Sequence, residues 1–90
     1  MKFIATRQSY HGTIRANANY CIIACLVNRR LKRGFKACVG LDDLLIVRGD
    51  ATVCTRKLPP KALALRERFD SGHSDPWTFA IQIPATFLRN

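Results

Sequence analysis

The sequence predicts an α+β fold in which two helices pack on a mostly antiparallel sheet, in the order β-α-β-β-β-α-β. Three observations predict it. Tyr20 to Val27 is continuously apolar and runs into a cluster of cations before Gly34. The segment from Pro59 to Gly72 opens on prolines, closes on glycine and carries apolar residues at helical spacing. The remaining apolar runs are short and bounded by Gly, Asp, Asn and Pro, as strands and their turns are.

Lys2 to Thr6 reads as a short first strand, and Gln8 to Asn19 is rich in turn formers, as an exposed loop would be. Asn17 or Asn19 then stands where a helix cap belongs, for a helix from Tyr20 to Arg33. Gly34 occupies its left-handed stop position, and Arg29, Arg30, Lys32 and Arg33 complement the negative end of its dipole. The first two turns leave no polar face, which requires cover on several sides. At about 100° per residue those four cations fall on an arc of roughly 160°, with Leu31 pointing the other way. The helix is thus expected to enter the core with its first half and to emerge as a basic knob.

Phe35 to Val39, Leu44 to Arg48 and Ala51 to Lys57 read as a three-stranded meander, turned at Gly40–Asp43 and at Arg48-Gly49-Asp50. The second helix places Ala62, Leu65 and Phe69 on a buried stripe and Lys61, Ala64 and Arg68 on another face. Trp77 to Ile83 alternates as a half-buried strand, ended by Pro84. In the tail, Ala85 to Asn90, Phe87 and Leu88 either cover a core edge or offer a small apolar contact.

Ninety residues correspond to one domain, spanning 1–90, and an apolar share of 48% with 23% charged residues suits a folded chain rather than a disordered one. The start, Met1 to Gln8, turns polar too early for a signal-peptide core, and the longest apolar run falls well short of the ~20 residues that span a bilayer. The expected location is a reducing cytosol, of the producing cell or of an infected host, with no membrane partner.

Charge is the main functional signal. Fifteen Lys and Arg face six Asp and Glu, a net charge of +9, and ten of the bases are Arg. Arg presents a planar fork of donors matched to phosphate and carboxylate, so nucleic acid, a nucleoprotein or an acidic protein surface are the natural partners. The competing reading is a basic surface that serves solubility alone. The densest constellation is Arg29, Arg30, Lys32, Arg33 and Lys36, assisted by Arg15, Arg48, Arg56 and Arg68, with Tyr10, Tyr20 or Trp77 as stacking surfaces where exposed.

Catalytic and metal constellations are weaker. Cys21 and Cys25 stand one helical turn apart, and Cys38 and Cys54 could complete a four-sulfur zinc site, but the spacing lacks paired knuckles and favours small buried hydrophobes. Cys21 near a helix start with His11 as base would make a nucleophilic pair without an orienting third group. Ser71, His73 and Asp75 fall in one short loop, where a turn is the better reading than a triad. The six acids sit in turns or among arginines, which suits solvation rather than paired-carboxylate chemistry. No glycine-rich phosphate loop, zinc-protease helix, zinc finger or RNA-recognition signature occurs. The expectation is a protein that is not an enzyme and takes no cofactor.

The residues Cys21-Ile22-Ile23-Ala24-Cys25-Leu26, Leu58-Pro59, Ala62, Phe69-Asp70-Ser71-Gly72 and Pro76 to Pro84 carry a resemblance across most of the chain. The pattern resembles a loose group of very small phage and prophage proteins, in which a strand and loop lead to a cysteine-containing apolar helix. A hairpin, a Leu-Pro helix ending in Phe-Asp-x-Gly and a closing aromatic strand follow. The resemblance implies a phage origin and the inhibition or modulation of a host nucleoprotein machine, such as a CRISPR surveillance complex or RNA polymerase, with no catalytic residue to carry over. A direct DNA- or RNA-binding protein is the alternative, and a small cysteine-dependent enzyme a third.

Overall fold

Alternating burial turns Phe3 and Ala5 inward along β1 (Lys2–Ala5), and the computed structural model, which describes residues 1–89, pairs this strand with β5 (Trp77–Ala80). The pairing is antiparallel, with Phe3 opposite Phe79 and Ile4 opposite Thr78, and the Phe3 and Phe79 rings stack at 5.3 Å. The meander forms a second sheet, β2 (Phe35–Val39), β3 (Asp43–Arg48) and β4 (Ala51–Lys57), again antiparallel throughout. With α1 (Ile22–Asn28) and α2 (Pro60–Asp70) the fold is α+β in the expected order, its strands divided between sheets of two and three. Alternation continues past β5, since Ile81 and Ile83 are buried and Gln82 exposed, although cross-strand pairing ends at Ala80. Of the predicted tail, Ala85–Phe87 forms a 3₁₀ turn, and Asn90 lies outside the described residues.

The second helix ends as the sequence predicts. Gly72 takes φ 100°, a left-handed conformation open to glycine at little cost, and its N–H bonds the Phe69 carbonyl while that of His73 bonds the Arg68 carbonyl. Both bonds belong to the Schellman stop.

The first helix differs from its sequence reading at both ends. Cys21 caps it, accepting a 3.5 Å bond at Sγ from the Ala24 N–H, whereas Asn17 Oδ1 closes the preceding turn through the N–H groups of Asn19 and Tyr20. Helical geometry stops at Asn28, five residues before the predicted end at Arg33, so the cations beyond it occupy a connection rather than a helical knob. Continuing the helix would set Arg29 one turn from both Lys32 and Arg33, a like-charge repulsion that the connection relieves. Gly34 is left-handed at φ 94°, but it serves the tight turn into β2.

Ile22, Ile23, Ala24 and Val27 are fully buried, and α1 packs on β1, β2, α2 and the 3₁₀ turn Arg7–Tyr10, so the apolar segment is enclosed on several sides. Asn28, at its end, secures the edge of β2. The Ala37 N–H donates to Asn28 Oδ1 at 2.7 Å, that of Phe35 to the Lys32 carbonyl, and that of Val39 to the Ala18 carbonyl. Three N–H groups along the edge of β2 are thereby satisfied without another strand. Asn28→Ala leaves the part-buried Ala37 N–H without its acceptor. Urea denaturation is expected to show a loss of about 1–3 kcal/mol with an unchanged m-value.

Candidate functional site

Arg29 to Lys36 comprises the connection between α1 and β2, residues 29–34, and the first two residues of β2, and its backbone is pinned on both flanks. On one side lie the Asn28 and Lys32 bonds to β2; on the other, Leu31 bridges Leu88, the Lys32 N–H donates to the Phe87 carbonyl and the Arg89 N–H to the Arg30 carbonyl. Leu31 is buried while Arg29, Arg30, Lys32, Arg33 and Lys36 are exposed. The opposition of Leu31 to the cations, predicted from helical angles, is thus achieved by a bridged loop.

Five of the fifteen cations fall within these eight residues. The structure adds Arg89 and places the predicted Arg48 beside them. Arg89, in the tail, is brought beside Arg30 by the Leu31–Leu88 bridge. Arg48 lies opposite Phe35 in the β2–β3 ladder with its guanidinium 5.5 Å from the centre of the Phe35 ring. Within the segment Arg29 donates to the Ser9 carbonyl at 3.1 Å, whereas among the described residues Arg30, Lys32, Arg33 and Lys36 make no side-chain hydrogen bond or ion pair. All six acids lie at Asp42 or beyond, so the first 41 residues hold eight Lys and Arg without a carboxylate.

The other predicted cations are held elsewhere. Arg15 Nε donates to the Phe69 carbonyl at 2.7 Å and its guanidinium covers the Phe69 ring at 5.0 Å, securing the long loop to α2. Arg56 Nε donates to the Gln82 carbonyl. Arg68 pairs with Asp75, whose neighbour Trp77 lies under the same guanidinium at 5.9 Å.

A groove of about 480 Å³ runs beside the basic segment, lined by Asn19, Tyr20, Lys32, Arg33, Phe35 and Lys36 among others. Of the three candidate stacking rings, Tyr20 is 54% exposed and faces this groove. Tyr10 is half-buried against Phe69 with its hydroxyl donating to the Asp75 carbonyl, and Trp77 Nε1 donates to the Lys61 carbonyl.

The cysteines are dispersed. Cys38 lies opposite Leu45 on the face of the sheet away from buried Ala37 and Val39, whereas Cys54 lies opposite buried Ile46 on the core side. The two strand thiols therefore occupy opposite faces, and among the described residues no three His, Cys, Asp or Glu gather as metal ligands. Burial pushes the Cys21 thiol up, against the direction that nucleophilic activation requires. Asp75, of the Ser71-His73-Asp75 loop, has its carboxylate engaged by Arg68. Among the described residues no helix is long and apolar enough to cross a membrane.

The Arg68 hydrogen bond holds the Asp75 carboxyl below its usual value of 3.8. A carboxylate with a lowered folded-state pKa contributes stability that is full above the unfolded value and is lost as pH falls through the folded one. The expected outcome for Asp75→Asn is a stability profile that is lower at neutral pH and falls less steeply below about pH 4 than that of the parent protein, read by thermal melts across pH.

Comparison with protein-family models, curated proteins and solved structures finds no match for the chain.

Proposed function

We propose that this is a non-catalytic binding protein that engages a nucleoprotein machine through the Arg29–Lys36 segment, in the manner of a phage-type inhibitor or modulator acting in a host cytoplasm. The observation that carries this reading is the combination of fixed backbone and unpartnered charge. Arg30, Lys32, Arg33 and Lys36 are exposed and have no protein acceptor among the described residues; the first three project from a loop pinned to β2 and to residues 87–89, and Lys36 from β2 itself. A surface presenting cations from an ordered backbone loses less entropy on binding than a flexible tail of the same charge. Phosphates or clustered carboxylates on the partner supply the missing acceptors. The resemblance to small phage proteins supplies the host setting, with a CRISPR surveillance complex or RNA polymerase as example targets.

Arg30→Glu, Lys32→Glu and Arg33→Glu together leave the buried Leu31 anchor and the Arg29 tether in place. Captured from host lysate with and without nuclease, this variant is expected to retain less than about a tenth of the partner bound by the parent protein, a loss in the range of severed charge pairs at an interface. The same charge change at Arg7, Lys57 and Lys61, outside the segment, is expected to have a much smaller effect. Equal retention by the two variants removes the segment as the binding surface.

A further inference from the structure

We infer that the groove beside the basic segment is a subsite for an unpaired nucleotide, with the base stacked on Tyr20 and the flanking phosphates held by Lys32, Arg33 and Lys36. This rests on the reading of Arg29–Lys36 as the partner surface and names the component of the nucleoprotein that it meets: single-stranded RNA or DNA.

Tyr20 is the first argument. An exposed aromatic ring on a flexible loop is unremarkable, but the Tyr20 backbone is fixed on both sides. Its N–H donates to Asn17 Oδ1 at 3.1 Å, and its carbonyl accepts from the Ile14 N–H at 2.7 Å and from the Cys25 thiol at 3.4 Å. The ring is thus presented rather than trailing. The second argument is the composition of the groove. Lys32, Arg33 and Lys36 line it together with Tyr20 and the half-buried Phe35, and among the described residues no carboxylate lines it. Its volume of about 480 Å³ lies within the ordinary range of small-ligand sites. Asn19 adds an amide, able both to donate to and accept from a base edge.

An acidic protein surface would satisfy the cations but leaves the presented ring unexplained. A duplex would offer phosphates with its bases already paired and stacked. An unpaired strand supplies both the π-face and the phosphates, as in sequence-tolerant single-strand binding.

The test is fluorescence anisotropy at low salt with labelled single-stranded RNA and DNA of roughly ten nucleotides, the matching duplexes, and polyglutamate as competitor. Single strands are expected to bind more tightly than duplexes and to resist polyglutamate. Tyr20→Ala is expected to weaken binding by at least about fivefold while Tyr20→Phe retains it, since the phenyl ring keeps the stacking surface that a methyl group lacks. Lys32→Ala and Lys36→Ala are each expected to reduce the slope of log affinity against log salt by about 0.7. Far-UV circular dichroism checks that the variants fold. Duplex binding as tight as single-strand binding, an unchanged affinity in Tyr20→Ala, or no binding of any oligonucleotide overturns the subsite. If oligonucleotides fail while the segment's charge reversal still abolishes nuclease-resistant capture, the subsite fails and the partner surface stands. If charge reversal leaves capture intact, the partner surface fails independently.

Discussion

A helix without a polar face cannot rest on the surface, and the enclosure of α1 is the constraint on which the other elements depend. Ile22, Ile23, Ala24 and Val27 are fully buried, so α1 needs neighbours on several sides, and it finds β2 of one sheet, β1 of the other, α2 and the first 3₁₀ turn. Burying an aliphatic side chain of this size contributes roughly 1.5–3 kcal/mol. In a chain of ninety residues, where little interior is available, concentrating that term in one central helix lets two small sheets share a core. A two-stranded sheet is marginal alone, and β1 with β5 gains its support by packing on α1 and α2.

The same helix delivers the basic segment, and the transition from buried to charged is abrupt. Val27 is fully buried, and Arg29 and Arg30 are exposed within three residues of it. Clustered cations repel, and a solvent-exposed loop carrying them would ordinarily spread. Backbone bonds to β2 and to residues 87–89, with buried Leu31 as an anchor between them, oppose the spreading without using the charged groups. The repulsion is therefore relieved by counterions, and it would tie the affinity of the proposed ligand to ionic strength.

Much of the fold was legible because it follows from local rules. Gly72 ends α2, alternation orders β1 and β5, and turn residues divide the meander. The end of α1 was not, because it is decided by residues distant in the chain. Lys32 pairs its N–H with Phe87, and Asn28 turns its amide to β2, so the helical bonds that propensity favoured are replaced by tertiary ones. Asn17 shows the same ambiguity at closer range, since an amide that can cap a helix can equally close the turn before it. The division into two sheets follows from which edges meet in space, and spacing alone does not record it. The cation cluster was legible as composition. Arg48, already named beside it, takes its place through strand register, whereas Arg89 enters only through the Leu31–Leu88 bridge.

The distribution of carboxylates bears on whether the basicity serves solubility or binding. A surface tuned for solubility needs only net charge, and interspersing both signs achieves it without local repulsion. Here the acids follow the cationic first 41 residues in the sequence, and where they act structurally they act around α2. Asp75 holds Arg68, Asp70 accepts from the Ala16 N–H, and the backbone of α2 receives Arg15. Those contacts fasten the long loop and the start of β5, leaving the segment between α1 and β2 without a carboxylate partner among the described residues. Keeping uncompensated charge on a pinned loop costs repulsion that solubility does not require, and the proposed ligand, bearing phosphates or carboxylates, would recover it on binding. That asymmetry supports the proposed recognition role over solubility as the reason the charge is placed there.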